Sequence, residues 1–435
     1  MHTIEKRHTS PWFWVPSLYI AEGLPYVIVT SVAVIFFKSI GLSNDYVTFY
    51  ASWLSLPWVI KPFWAPLVEV LGSKRWWIVT MQLFIGASLA GVALTVPTTG
   101  ILRGCLAFFW LMAFSSATHD IAADGFYMIA LDDHEQSFFV GIRSTFYRLA
   151  TLIGQGGIVA LAGWSEVVYK VPSKAWSYVF IAVAVIVILI FLYHSIALPH
   201  PEKETSQRYE GTTGKRLLQV CKEIWQSLYT YVTKQGFVVA VLFMLLYRLP
   251  EAFLVKICPL FLLDPIEEGG LGLSKVDLGF AQGTVGVIGL TVGGIIGGLV
   301  VSVDGFKKWL WPMVLSITLP DVVYIILAYY QVTDVIIVSA CIGIEQFGYG
   351  FGFTAYMLYM LYFSRGKYQS THYALCTGLM ALSMMLPGMV SGWLQERMGY
   401  LDFFILAMAL TVVTFAVTAL LKIDPEFGKK KQEQS

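Results

Sequence analysis

Apolar stretches of about 20 residues recur along the whole chain and restrict it to a membrane-embedded fold. A helix of about 20 residues spans the hydrocarbon core of a bilayer, where only helices and closed barrels satisfy every backbone hydrogen bond. Of the 435 residues, 57% are hydrophobic and 13% are charged. The sequence therefore predicts an all-α, multi-pass membrane protein in contact with the lipid bilayer. No basic surface points to a nucleic-acid partner.

Twelve transmembrane helices are predicted, in two groups of six. The predicted spans cover approximately residues 11–37, 45–68, 76–96, 101–130, 140–163 and 175–198, followed by 237–263, 276–302, 308–330, 334–363, 369–393 and 401–421. The stretch PHPEKETSQRYEGTTGKR between the two groups is the longest polar segment of the chain. We therefore expect a six-helix N-terminal half at 1–198, a cytoplasmic linker at 199–236, and a six-helix C-terminal half with a cytoplasmic tail at 237–435.

The distribution of lysine and arginine over the loops and the ends of the spans predicts the orientation of the chain. Nineteen of these residues lie on the side of the N-terminus and six lie on the opposite side. Loops rich in lysine and arginine stay in the cytoplasm. We therefore expect both termini and the linker to be cytoplasmic.

The two groups of spans resemble each other in sequence. The dipeptide LP at position 24 recurs at position 249, and the tripeptide GLS at position 41 recurs at position 272. Two similar six-helix halves in the same orientation are the arrangement of the major facilitator transporters. Glu69, Gly72, Lys74 and Arg75, after the second span, also partly resemble the signature of that superfamily. We expect Glu69 to belong to a cytoplasmic gate, although Lys74 and Arg75 can also be read as ordinary cytoplasmic charges.

Four motifs in the N-terminal half carry a closer resemblance. GLP in the first span, KPFWAPLVE at 61–69, SSATHDIAADG at 115–125 and YRL at 147–149 together resemble the AmpG-type muropeptide permeases. More distantly they resemble the acetyl-coenzyme A transporters of the same superfamily. The resemblance implies a bacterial inner-membrane importer, driven by the proton gradient, that carries GlcNAc-anhydroMurNAc units with or without peptide. His119 departs from this family, which usually has glutamine at that place.

Charged residues inside the predicted spans are candidates for the functional site. Each charge at membrane depth costs roughly 2.5 to 3.5 kcal/mol on insertion scales. The acids in the spans outnumber the bases by two, and an unpaired buried carboxylate takes up a proton. This excess favours coupling of transport to protons. The acids are Glu22, Asp120, Asp124, Glu251, Asp321 and Glu345, and the bases are Lys61, Arg148, Arg248 and Lys256.

These candidates divide into two sets by their depth. Asp120 and Asp124 lie one helical turn apart, and we expect them to share Arg148 as a counter-ion. The residues predicted to couple protons or to form a gate are Asp120, Asp124, Arg148, His119, Lys61 and Glu69. The residues predicted to bind substrate, near the proline-containing middles of the first and seventh spans or on the tenth, are Glu22, Tyr26, Arg248, Glu251, Glu345 and Tyr349.

The prediction for function is a proton-coupled importer of peptidoglycan-derived amino sugars or muropeptides that works by alternating access. An alternative is a proton symporter for another sugar or oligosaccharide. A third candidate is a membrane-embedded acyltransferase in which Asp124 orients His119 as a general base. We expect a secondary transporter rather than an enzyme, acting as a monomer. No cofactor is expected, and the five cysteines lack metal-ligand spacing.

Overall fold

The computed structural model describes residues 10–97, 101–131, 133–200, 213–366 and 368–427, and within these ranges every regular element is a helix. The spans of the first group are Pro11–Ser39, 44–70, Lys74–Thr95, Ile101–Ala130, 133–169 and Pro172–Ala197. A linker helix, Thr213–Val232, follows them. The spans of the second group are Phe237–Leu263, Lys275–Asp304, Phe306–Tyr330, Val335–Ser364, 369–398 and 400–419. The prediction of an all-α protein with twelve spans is confirmed.

Only ten of the described helices meet a simple test of length and apolar character, for two reasons. The second span is divided into two short helices, and the eleventh and twelfth spans count as one helix. The second span consists of Asn44–Trp53 and Leu56–Val70, and Pro57 in the first turn of the second piece cannot donate a backbone hydrogen bond to the first piece. The eleventh and twelfth spans form one continuous helix except at Gly399, where φ is +78°. Glycine adopts this left-handed conformation without a steric penalty.

Three spans contain wide, π-helical turns that lie near one another. These turns cover Ile28–Val32 in the first span, Leu152–Ile158 in the fifth and Gly279–Gly286 in the eighth. In the first span the turn follows Pro25, which removes a helical hydrogen bond. In the fifth and eighth spans the turns are rich in glycine, so their backbones approach each other directly.

The two ends of the bundle differ in how the two groups of spans meet. We call the end that carries residue 11 and the linker helix the linker end, and the opposite end the far end. One large hydrophobic cluster contains residues of both groups, including Phe37 and Phe109 of the first and Phe261 and Phe404 of the second. Two further clusters contain residues of one group each. The groups are therefore joined toward the far end and have separate cores toward the linker end.

Polar contacts at the far end join the same two groups. Asn44 is buried there and donates to the side chains of Asp264 (3.1 Å), Gln395 (2.8 Å) and Tyr400 (3.0 Å). Lys38 donates to Asn44 and forms an ion pair with Asp264, both at 2.8 Å. We call these five residues the far-end network. It links the first two spans to the seventh, eleventh and twelfth.

A second polar contact and a row of glycines extend this interface. Lys275 at the start of the eighth span forms an ion pair with Glu166 of the fifth span at 2.5 Å. A methyl group added at Gly283 would lie 2.2 Å from the backbone nitrogen of Gly156, and one at Gly392 would lie 2.1 Å from the Asn44 carbonyl oxygen. Only glycine fits at such distances, so these positions fix the closed arrangement of the far end.

Candidate functional site

A cavity of about 560 Å³ lies between the two groups of spans. Its walls come from the first, second, fourth and fifth spans on one side and from the seventh, tenth and eleventh on the other. This volume is typical of small-molecule sites, which measure about 300 to 1,000 Å³. Of the predicted residues, those that line the cavity are Glu22, Tyr26, Lys61, Asp120, Asp124, Arg248 and Tyr349.

The two aspartates of the fourth span form ion pairs with two different bases. Lys61 of the second span contacts Asp120, and Arg143 of the fifth span contacts Asp124 at 2.7 Å. The expectation that both aspartates share Arg148 is therefore wrong. The helix of the fifth span begins ten residues before Arg143, and the Arg143 side chain reaches the cavity.

Aromatic rings and a third acid surround the Arg143 guanidinium. Its central carbon lies 4.6 Å from the ring centre of Tyr19 and 5.0 Å from that of Tyr127, within the range of cation–π attraction. Glu22 is buried beside Asp124 and Asp120 and, among the described residues, forms no ion pair of its own. This wall of the cavity therefore holds three acids and two bases in one electrostatic network.

Arg148 lies at the contact between the two groups of spans and not in the cavity. Its guanidinium packs against Gly294 of the eighth span, where an added methyl group would be 3.3 Å from Nη2. The Nη1 atom is buried and has no hydrogen-bond partner among the described residues. Arg148 therefore bridges the fifth and eighth spans by packing.

His119 belongs to a buried polar chain behind the cavity wall. Its Nε2 atom hydrogen-bonds with Gln82 of the third span at 2.9 Å. Gln82 also contacts Nδ1 of His194 in the sixth span, and Nε2 of His194 contacts Ser17 at 2.8 Å. The proposed His119–Asp124 pair of an acyltransferase is not formed, because His119 faces the third span. The geometry gives His119 a role in connecting spans.

The loop after the second span adopts the tight turn that its glycine predicted, with φ of +102° at Gly72. Arg75 donates to the backbone carbonyls of Ser195 and Leu198, the latter at 3.1 Å, at the end of the sixth span. Lys74 is buried against Gly125 of the fourth span. The side chain of Glu69 lies outside the described part of the structure, so its predicted gate contact stays a prediction.

Arg248 stands on the opposite wall of the cavity, surrounded by aromatic rings. It donates to the hydroxyl group of Tyr349, and its guanidinium lies 4.8 Å from the ring centre of Phe353 and 5.8 Å from that of Tyr356. Its Nε atom is buried without a hydrogen-bond partner among the described residues. Arg248 therefore has an unused hydrogen-bond donor close to the cavity.

Lys256 is a second base on this wall, two turns further along the seventh span. It is buried, lines the cavity and donates to the backbone carbonyl of Thr30 in the first span. Within the described ranges, neither Lys256 nor Arg248 has a carboxylate within 4.0 Å. This half of the cavity is therefore positively charged.

Glu251 and Glu345 were predicted at the substrate site, but they line a separate side cavity of about 260 Å³. Tyr26 and Tyr349 line both cavities and form their common boundary. Asp321 of the ninth span lies so close that one carboxylate oxygen from each of the three acids falls within 4.8 Å of the others. No local sequence pattern predicts that these three acids meet, because they come from three separate spans.

Sequence reasoning omitted Arg143 and Lys256 from the site. The acids of the sequence DDHE at 132–135 are a helix-start signal that places Arg143 three turns inside the fifth span. Lys256 is among the charges predicted inside the spans, but no sequence signal indicates that its side chain faces the cavity. That orientation depends on how the seventh span is rotated, which neighbouring helices determine.

The sequence model of the Major Facilitator Superfamily matches residues 17–385, which include eleven of the twelve spans in part or in full. The chain belongs to the Major Facilitator Superfamily. This facilitator is a multi-pass membrane transporter, and the predicted fold of two six-helix groups agrees with that membership.

Relatives of this facilitator include proteins named as muropeptide transporters. It is 26% identical to an uncharacterised protein of Haemophilus influenzae over 90% of this chain and 89% of that protein. It is 23% identical to the putative transporter AmpG 4 of Rickettsia conorii over 91% and 92%. It is 22% identical to the anhydromuropeptide permease of Escherichia coli K12 over 90% of this chain and 76% of that one. The resemblance to AmpG-type permeases therefore extends over both halves, beyond the N-terminal motifs.

Solved structures with the same fold are facilitators as well. A D-xylose-proton symporter superposes with a TM-score of 0.74 at 13% identity, covering 96% of this chain and 98% of that one. The nucleoside transporter NupG superposes with a TM-score of 0.67 at 14% identity, covering 96% and 100%. At these identities the likeness establishes the facilitator fold.

Proposed function

We propose that this facilitator is a proton-coupled importer of peptidoglycan-derived amino sugars or muropeptides. The observation that carries the proposal is the positive wall of the cavity, where Arg248 and Lys256 have no carboxylate partner within 4.0 Å in the described chain. A buried cation without a counter-ion is costly, so a bound anionic ligand would stabilise it. N-acetylmuramic acid carries a carboxylate on its lactyl group or in its attached peptide. Neutral sugars such as xylose do not.

The remaining lining of the cavity suits the sugar rings of such a ligand. Tyr26 lies edge-on to Trp58 with ring centres 5.0 Å apart, and Tyr147 lies 6.5 Å from Tyr26. Aromatic faces stack on the apolar faces of sugars, while Glu22 and the Tyr349 hydroxyl group can bond to sugar hydroxyl or acetamido groups. We assign substrate contact to Glu22, Tyr26, Arg248 and Tyr349 on this basis. The relatives named as anhydromuropeptide permeases support the same substrate class.

Transport by alternating access is supported by the unequal ends of the bundle. The halves 1–198 and 237–435 meet in one core toward the far end and have separate cores toward the linker end. With the cytoplasmic orientation that the loop charges predict, this conformation opens to the cytoplasm of a bacterial inner membrane. The segment 199–236 would then be a cytoplasmic connection between two moving halves. We propose that the monomer is the transporting unit.

The pairs Lys61–Asp120 and Arg143–Asp124 suit a gating role in this cycle. Each joins neighbouring spans within the first half, and each borders the cavity. Arg148, packed against Gly294, lies where the two halves must separate or close. Substrate arrival or protonation could change these contacts without breaking the bundle.

Uptake into proteoliposomes tests the proposed function. Radiolabelled GlcNAc-anhydroMurNAc should accumulate when the lumen is alkaline relative to the bath, and a protonophore should abolish accumulation. Excess unlabelled muropeptide should compete, whereas xylose and free GlcNAc should compete at least tenfold less well. Equal competition by a neutral oligosaccharide would favour the alternative sugar symporter. Accumulation that survives the protonophore but requires sodium would disprove proton coupling.

The Arg248→Ala variant tests the assignment of the anionic group. Loss of a charge-assisted hydrogen bond of about 1.5 to 3 kcal/mol predicts affinity reduced roughly 10- to 100-fold. Calorimetry on purified protein measures this change, and Arg397→Ala is a matched control because Arg397 stacks on Trp393 outside the cavity. Wild-type affinity in Arg248→Ala would remove this residue from the binding site.

A further inference from the structure

The three-acid cluster of Glu251, Asp321 and Glu345 lies inside the second half. The exposed fractions of these residues are 5%, 4% and 3%, so water cannot screen their charges. One oxygen from each lies within 4.8 Å of the others. Within the described residues, none of the three forms an ion pair within 4.0 Å.

The hydrogen bonds around the cluster are distributed unequally among its members. Glu345 accepts from the Tyr324 hydroxyl group at 3.1 Å and from the Gln346 amide at 3.2 and 3.0 Å. The Oδ2 atom of Asp321 is buried without any hydrogen-bond partner in the described chain. These hydrogen bonds fill acceptors of Glu345 and leave Asp321 with an unfilled acceptor.

The other ionisable groups around the cluster do not neutralise it. Cys258 on the seventh span and Tyr324 on the ninth are uncharged at neutral pH. Arg248, one turn before Glu251 on the seventh span, attracts the Glu251 carboxylate, but it also donates to Tyr349, and one base cannot balance three acids. Three carboxylates at this separation in a protein interior cannot all stay ionised without a cation.

The spacing of the oxygens is suitable for one bound cation. Oxygen ligands lie about 2.3 to 2.6 Å from a hard cation such as Ca²⁺, so oxygens within 4.8 Å of one another can surround a single ion of that size. A proton held between two of the carboxylates satisfies the same electrostatic need. Such a cation would supply a partner for the buried Oδ2 atom of Asp321, which has none in the described chain.

The position of the cluster connects it to the substrate cavity. Glu251 and Glu345 line the side cavity, which shares Tyr26 and Tyr349 with the main cavity. Tyr349 in turn accepts a hydrogen bond from Arg248. A change of charge in the cluster can therefore alter Tyr349 and, through Tyr349, Arg248. Both residues face the substrate cavity.

We propose that Glu251, Asp321 and Glu345 bind the monovalent cation, H⁺ or Na⁺, whose entry drives transport, and that the paired aspartates of the first half do not. This inference rests on the proposed transport function and assigns its coupling site. A bound cation neutralises the cluster and allows the second half to change its packing against the first. Without the cation, the uncompensated negative charge keeps that change unfavourable.

Two transport assays on the Asp321→Asn variant separate coupling from substrate movement. Counterflow exchanges labelled for unlabelled GlcNAc-anhydroMurNAc without any ion gradient, whereas accumulation requires one. We expect Asp321→Asn to keep counterflow within about threefold of wild type and to lose at least 90% of the accumulation driven by a pH or a sodium gradient. Which gradient drives the wild type identifies the cation. Glu267→Gln is the control, because Glu267 is exposed in the same half and outside the cluster.

Retention of gradient-driven accumulation by Asp321→Asn would overturn the proposal, as would an equal loss of counterflow in a correctly folded variant.

If wild-type protein shows neither assay signal, the proposed function fails, and cation binding is then tested without substrate. The melting temperature of purified wild type should rise with NaCl over choline chloride, or on lowering the pH from 8 to 6, more than that of Asp321→Asn. Glu345→Gln, which keeps the size of the side chain, should behave likewise. Identical responses in wild type and both variants would also overturn the proposal.

Discussion

At the scale of single residues, the choice of ion-pair partner depends on helix phase and not on distance along the chain. Arg143 and Arg148 lie on the same span, five residues apart, and point in different directions because five residues exceed one helical turn. Arg143 meets Asp124 in the cavity, whereas Arg148 meets Gly294 at the contact between the halves. Their substitutions should therefore have separable effects.

A double-mutant cycle distinguishes these two arginines. Arg143→Ala and Asp124→Asn should couple by about 1 kcal/mol, since both side chains are partly exposed to the cavity and solvent weakens the pair. Arg148→Ala and Asp124→Asn should be additive within about 0.5 kcal/mol. Initial uptake rates and melting temperatures of the purified variants provide the measurement. Strong coupling of Asp124 to Arg148 instead would contradict the observed pairing.

At the scale of helices, glycine determines how closely the fifth and eighth spans approach. The wide turns at Leu152–Ile158 and Gly279–Gly286 face each other, and their backbones touch at Gly156 and Gly283. A side chain at Gly283 cannot be accepted without moving the other half, whereas a methyl group at Gly156 would make ordinary contacts at 3.5 Å. The contact between these turns thus controls the closed far end as well as local packing.

The Gly283→Ala variant tests this contact. Its methyl group would lie 2.2 Å from the Gly156 nitrogen, and relief of such overpacking costs about 1 to 3 kcal/mol. We expect a lower melting temperature and a shift away from the conformation closed at the far end. Gly298→Ala on the same span is the matched control, because no atom lies within 4 Å of its added methyl group. Equal melting temperatures for the two variants would refute the packing argument.

At the scale of the whole molecule, the far-end network keeps the two halves together on one side of the cavity. Asn44 is its centre, with donors and acceptors directed to both halves. Alternating access requires that these bonds break when the opposite conformation forms. Weakening them should change the populations of the two conformations without removing any group from the cavity.

The Asn44→Ala variant tests that population shift. It removes several hydrogen bonds worth about 0.5 to 1.5 kcal/mol each, so we expect the far end to open roughly tenfold more often. The reporter is the Ser31→Cys substitution in a protein whose native cysteines have been replaced, because Ser31 lines the cavity. The rate at which a membrane-impermeant thiol reagent labels this position in intact cells is the measurement. Asp334→Ala, which removes a helix cap at the same end, should leave the labelling rate unchanged. A slower rate in Asn44→Ala would show that the network does not hold the far end closed.

The sequence by itself determined the twelve spans, because lipid forces each crossing segment to be apolar, helical and about 20 residues long. It also indicated most of the charged residues of the cavity, since a charge inside an apolar span costs free energy and is kept for a function or a partner. Only the tertiary structure decided the partners of those charges. Three features depend on how each helix is rotated and packed. They are the pairing of Asp124 with Arg143, the orientation of Lys256 toward the cavity, and the contact of Glu251, Asp321 and Glu345. Contacts between distant spans set that rotation, and no local pattern of residues encodes it.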